Sequence, residues 1–110
     1  MALDVSRHQE IAALVAKCDG FEWDEGNRNK NWISHKVREL EAEEVFIGRP
    51  LRFSDDFIHS QNEGRYLALG KTKANRLLFL SFTIRGVKIR VISARDMNEK
   101  DKKRYAGEEV

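Results

Sequence analysis

The chain has 110 residues, 41% of them hydrophobic and 35% charged, with a single proline, enough apolar material for one small core and too little for two. Net charge is only +2, yet residues 1–64 hold 8 basic and 13 acidic side chains whereas residues 65–110 hold 12 basic and 5 acidic ones, so the basic half points to a polyanion or an acidic partner. The longest apolar stretch, Leu77 to Phe82, falls far short of the roughly 20 residues a membrane span needs, no basic start leads into a long apolar leader, and a lone Cys18 forms neither an intrachain disulfide nor a thiolate metal cluster; a cytoplasmic protein away from membranes is expected.

Residues 4–17 place Val5, Ile11, Leu14 and Val15 at helical spacing and predict an amphipathic helix that stops at Cys18-Asp19-Gly20. Phe21-Glu22-Trp23, two aromatics alternating with a carboxylate after a glycine, suits a brief strand. Asp24 is placed to cap a polar helix from about Glu25 to Ser34 or His35. Another helix is expected from Arg38 to Ile47, ended by Gly48 and Pro50. From Leu51 the period changes from helical to alternating. Strands are expected at Leu51–Ser54, at Arg65–Lys71, across the continuous apolar run Leu77–Ile84, and, after a turn at Arg85-Gly86, at Val87–Ala94, where Val87, Ile89 and Val91 share one face and Lys88 and Arg90 the other. Short connections make these strands antiparallel neighbours, and Asp96 to Tyr105 closes the chain with a cationic helix. The fold class is therefore α+β, helices packed on one antiparallel sheet of about four to five strands. No linker or internal repeat divides it.

His8, His35 and His59 lie in separate segments with no metal-ligand spacing, no glycine-rich phosphate loop is present, and no serine sits in a nucleophile elbow, so neither a metal nor a nucleotide cofactor is expected. What stands out is a set of cations on or beside strands: Arg65, Arg76, Arg85, Lys88, Arg90 and Arg95. Guanidinium groups on a rigid sheet can grip phosphate and offset charge on a phosphorane without a metal. The plainer reading makes Arg76 and Arg85 turn residues and Lys88 an exposed edge residue. His35 is a candidate proton carrier, or a cap on helix carbonyls. Trp23 could stack on a base or belong to the core, and Trp32 could be core or a partner surface.

The ordered motifs FEWD at 21–24, Asn31 and His35 as N-x-x-x-H followed by Val37, EAEEVF at 41–46, Gly64-Arg65 before Leu69-Gly70, and IRVISAR at 89–95 resemble the BrnT toxins of type II toxin–antitoxin modules, over residues 21 to about 105. The resemblance implies a RelE-like fold and a metal-independent endoribonuclease that cleaves RNA and inhibits translation. It also implies a small BrnA-like antitoxin with a ribbon–helix–helix domain, which neutralises the toxin in a hetero-oligomer and brings it to DNA. On that basis residues 1–20 form an added helical extension and residues 21–110 the toxin domain. Trp23, Asp24, Asn31, His35, Arg65, Ser93 and Arg95 carry over by motif. Together with the basic strand residues they give an expected catalytic set of His35, Arg65, Arg90 and Arg95, and an expected substrate-binding set of Trp23, Asn31, Lys88, Arg76 and Ser93. Two departures, Ser34 where the family commonly has Lys and Lys36 where it has Gly, motivate an alternative: a non-catalytic RNA- or protein-binding module of the same fold.

Overall fold

The computed structural model describes residues 5–57 and 63–107. In chain order these form α1 (Val5–Ala16), β1 (Gly20–Phe21), α2 (Lys30–His35), α3 (Glu39–Ile47), β2 (Arg52–Asp55), β3 (Arg65–Lys71), β4 (Leu77–Arg85), β5 (Lys88–Asp96) and α4 (Glu99–Tyr105). The strands make one sheet in the order β1-β5-β4-β3-β2. This is the expected α+β class. His59 and the last three residues lie outside the described residues. β2 through β5 pair antiparallel, but β1 runs parallel to β5, Gly20 beside Lys88 and Phe21 beside Ile89, which makes the sheet mixed. No hairpin joins β1 to β5, because most of the chain lies between them, so turn geometry does not fix their relative direction.

Alternation gives the sheet an inner and an outer face. Phe53, Ala68, Leu80, Phe82, Ile89 and Val91 point inward and are buried with Ile11 of α1 and Ala42, Val45 and Phe46 of α3. Phe82, fully buried, meets Phe46 edge-on at 5.1 Å and Phe53 at 5.7 Å. At one end of the outer face a second cluster, Leu69, Met97 and Tyr105 with Leu77 and Phe79, sits under α4. The rest of that face has no helix across it among the described residues.

Each sheet edge is closed by a side chain that does the work of a strand. At the β2 edge, the Phe53 N–H donates to His8 Nδ1 at 2.9 Å and Arg7 forks onto Asp55 at 2.7 and 2.8 Å, so α1 covers the edge while burying Ile11 in the main core. At the other edge β1 ends early, and two asparagines take over from it. Asn27 Nδ2 donates to the Val91 carbonyl, and Asn31 Oδ1 accepts from the Ala94 N–H at 2.9 Å. Both asparagines are buried, as expected where side-chain amides satisfy backbone groups that would otherwise have no partner.

Between those two asparagines β5 carries a bulge. Ser81 faces Ser93 while Phe82 faces Val91, which leaves Ile92 as the extra residue. Strict alternation from Ile89 and Val91 would have turned Ser93 and Arg95 inward. The bulge instead buries Ala94 and keeps Ser93 and Arg95 on the outer face with Lys88 and Arg90.

The turn after β1 differs from the sequence expectation. Asp24 does not cap α2; its Oδ1 accepts from the Gly26 N–H at 2.8 Å and closes a turn, and the helix begins only at Lys30, after Asn29 in the left-handed region at φ 65°. An Asx turn competes with helix for the same residues, and here Asn27 favours the turn, its Oδ1 accepting from the Asp24 N–H and its N–H donating to the Asp24 carbonyl. Likewise the β4–β5 hairpin turns at Gly86-Val87 rather than Arg85-Gly86, leaving Val87 exposed.

Candidate functional site

On the outer face Arg65 pairs with Thr83 and Thr83 with Arg90, so three outward side chains form a row across β3, β4 and β5. Two strand spacings put the arginine backbones about 10 Å apart, the span of one or two phosphodiesters. The next row toward the hairpin pairs Arg85 with Lys88. The sheet thus brings together Arg65, Arg90 and Lys88 of the expected set, with Arg85 beside them.

These cations are met by carboxylates from the segment around β1 and by Glu63 just before β3. Arg90, with a side chain only 11% exposed, donates to both oxygens of Asp24 at 2.9 Å and to Glu22 Oε1 at 2.9 Å. Arg85 forks onto Glu63 and lies 3.6 Å from Glu22, and Lys88 contacts Asp19 at 2.7 Å. The Arg90 guanidinium and the Gly26 N–H hold the Asp24 carboxyl below its ordinary range, and Arg85 does the same for Glu63. A side chain on Gly26 would not fit this arrangement, since its Cβ would lie 2.7 Å from Arg90 Nη2. Glu22 and Asp24 were not among the substrate or catalytic expectations. Their signal was the alternation in Phe21-Glu22-Trp23, which turns both aromatics into the core and Glu22 outward.

Further along the same face Ser93 pairs with Ser81, and Arg95 with Phe79. The Arg95 guanidinium lies 4.0 Å over the Phe79 ring and donates to Asp101 Oδ2 at 2.7 Å. Asp101 also closes the capping box of α4 with Asn98, so Arg95 joins the sheet to the first turn of that helix. Five residues of β5 separate Arg95 from Arg90, on the order of 16 Å.

The remaining expected residues gather elsewhere. His35, at the exposed end of α2, lies near Asp96, about six residues or 20 Å along β5 from Arg90. Arg76 is a hub there: it forks onto Asp96 at 2.7 and 3.1 Å, contacts Glu41, and donates to the carbonyls of His35 and Lys36. Asn31 is committed to the β5 edge, and Trp23 packs on the core with its Nε1 donating to Glu43 of α3 at 2.7 Å. Trp32 is 41% exposed, with Lys36 and Arg38 within 5.2 Å of its ring. A concavity lined by Glu44, Ile47, Lys71 and Lys73 opens at the far end of β3 from Arg65.

Among the described residues, no group of three or more His, Cys, Asp or Glu side chains is placed to hold a metal ion, and no helix is long and apolar enough to cross a membrane. The chemistry the face offers is that of guanidinium groups and carboxylates in register. A family model described as the ribonuclease toxin BrnT of type II toxin–antitoxin systems matches residues 23–101, from the Trp23 position through the Asp101 cap. No curated protein matches the sequence.

Proposed function

The chain belongs to the BrnT family of ribonuclease toxins of type II toxin–antitoxin systems, and on that premise we propose that it cleaves RNA on the outer sheet face, at the Arg65–Thr83–Arg90 row. Membership carries with it an RNA target and an antitoxin partner. The observation that carries the placement is the register that sets Arg65 and Arg90 on either side of the buried Thr83, on a face that no helix crosses among the described residues. A scissile phosphate between them meets cations on both sides, and such preorganised donors stabilise the charge that grows on the phosphorane.

In this reading Lys88 and Ser93 hold the strand above and below the row, and Arg95 carries it toward α4. His35, about 20 Å away by strand rise, serves RNA or partner binding near Asp96 rather than the chemistry at Arg90. Trp23, Asn31 and Arg76 act by holding the turn, the β5 edge and the α2–α3 joint in place. Cleavage of this kind needs no metal. The partner is a BrnA-like antitoxin encoded next to the toxin, with a ribbon–helix–helix domain that supplies the DNA contact.

The test is induction of the chain alone in a bacterial host with pulse-labelled protein synthesis. Arrest by the wild type that disappears in Arg65→Ala and Arg90→Ala at equal expression supports the placement; undiminished arrest in both overturns it. Cleavage that persists in EDTA supports metal independence. The ion pairing of Arg85, Lys88 and Arg90 with the chain's own carboxylates favours one second reading, a face that binds RNA without cutting it. Salt-dependent binding with no cleavage would select it.

A further inference from the structure

We infer that Glu22 is the general base of the cleavage reaction, taking the proton from the attacking 2′-hydroxyl. The inference rests on the placement of the cleavage centre at the Arg65–Arg90 row. A base must stand within hydrogen-bond reach of the proton it removes, and His35 stands near Asp96, at the other end of β5.

Among the described residues, the carboxylates beside the row are those of Asp19, Glu22, Asp24 and Glu63. Asp24 has both oxygens bound, Oδ1 by Gly26 and Arg90 and Oδ2 by Arg90. Glu63 has both oxygens bound by Arg85. Asp19 pairs with Lys88 one position before β1, farther from Arg90. Glu22 differs from all three. Its Oε1 accepts from Arg90 and lies 3.6 Å from Arg85, so the carboxylate stands between two guanidinium groups. Its Oε2 accepts from no group among the described residues, and the side chain is 36% exposed, open to an incoming ribose. The backbone holds it there: the Glu22 N–H donates to the Ile89 carbonyl at 2.9 Å, while Phe21 and Trp23 anchor the flanking positions in the core.

The step balances without a co-reactant. The 2′-hydroxyl proton passes to Glu22 Oε2 as the 2′-oxygen bonds to phosphorus, and the bond from phosphorus to the 5′-oxygen breaks. The leaving oxygen takes a proton from solvent water and Glu22 returns its own to solvent. The products are a 2′,3′-cyclic phosphate and a 5′-hydroxyl.

The charged groups facing Glu22 are Arg90 and Lys88 on β5, Arg85 on β4, Arg65 on β3, and Asp19, Asp24 and Glu63 around them.

The experiment is single-turnover cleavage of one defined messenger transcript, free and ribosome-bound, by the full chain near neutral pH. Glu22→Gln is expected to lower the cleavage rate constant about 100-fold with the half-saturating concentration little changed. Glu22→Asp, which keeps a carboxylate, is expected to recover part of that rate. If Glu22→Gln stays within about fivefold of wild type, while Arg90→Ala is inactive, the base assignment falls and the site stands. If Arg65→Ala and Arg90→Ala both cleave normally, the site falls and the base assignment with it.

Discussion

Asn27 is the residue on which the geometry around Arg90 depends most directly. Only 3% exposed, it donates from Nδ2 to the carbonyls of Glu22 and Val91 and accepts at Oδ1 from the Asp24 N–H. Asn27→Ala removes all three bonds and strands the Val91 carbonyl beside the bulge. At about 1 kcal/mol per lost bond, with a further fraction for the stranded carbonyl, the loss comes to about 3–4 kcal/mol. An unfolding entropy of about 0.23 kcal/mol/K for a chain of this length turns that into a Tm about 15 °C lower. Urea unfolding followed by tryptophan fluorescence reads the change directly, and the m-value should stay constant because the surface exposed on unfolding does not change. Lys30→Ala, an exposed neighbour, should move stability by less than about 0.5 kcal/mol. A loss below about 1 kcal/mol in Asn27→Ala would refute the argument that its amide substitutes for the missing length of β1.

Three further outcomes are expected. Burial and the nearby Arg52 and Arg49 push the His8 imidazole below its ordinary value, so the folded state binds that proton less tightly than the unfolded chain; stability should be full above about pH 6.5 and fall as the pH drops below it. The slope of Tm between pH 7.5 and 5.5 should flatten in His8→Asn, which can still accept from Phe53 without titrating, and equal slopes would count against the edge cap. Gly26→Ala should shift Arg90 rather than unfold the chain, because the close atom is the end of a long side chain, so cleavage should fall well before Tm moves by a few degrees; unchanged cleavage would show that Arg90 acts from another position. Arg76→Ala removes charge-assisted bonds to Asp96 and Glu41 and should destabilise by about 2–3 kcal/mol in urea, with a loss under about 0.5 kcal/mol excluding its role as a joint.

The long periodic elements were legible because one physical signal dominates each of them. Arg65–Lys71 is found at its expected ends, and α1, α3 and β4 lie within two residues of theirs. What was not legible depends on contacts distant in sequence. The bulge at Ile92 is invisible to alternation, because nothing local in Val91-Ile92-Ser93 marks an extra residue; it exists where Asn27 and Asn31 replace β1. Asp24 looked like a helix cap since Asp favours both caps and turns, and Arg90, arriving from β5, joins Asn27 and Gly26 in favouring the turn. His35 and Arg90 looked like parts of one site because sequence order says nothing of position along β5.

On the placement proposed above, the distribution of ion pairs accounts for RNA uptake by a face already neutralised by its own carboxylates. Arg85, Lys88 and Arg90 are paired, whereas Lys30, Lys36 and Arg38 on and beside α2, and Lys103 on α4, have no carboxylate within 4.0 Å among the described residues. Those outlying cations supply the long-range attraction that draws a polyanion in. The carboxylates of these pairs and the Arg85 and Lys88 cations are a third or more exposed, only Arg90 being mostly buried, and an exposed pair is worth only about 0–1 kcal/mol, so a phosphate can displace Glu22 from the exposed Arg85 at little cost. Glu22 is the carboxylate such an exchange would free, since Asp24 stays anchored by the Gly26 N–H. Before substrate arrives the same carboxylates keep Arg90 aimed outward, so its orientation is settled in the free protein and little ordering is left for the reaction to supply.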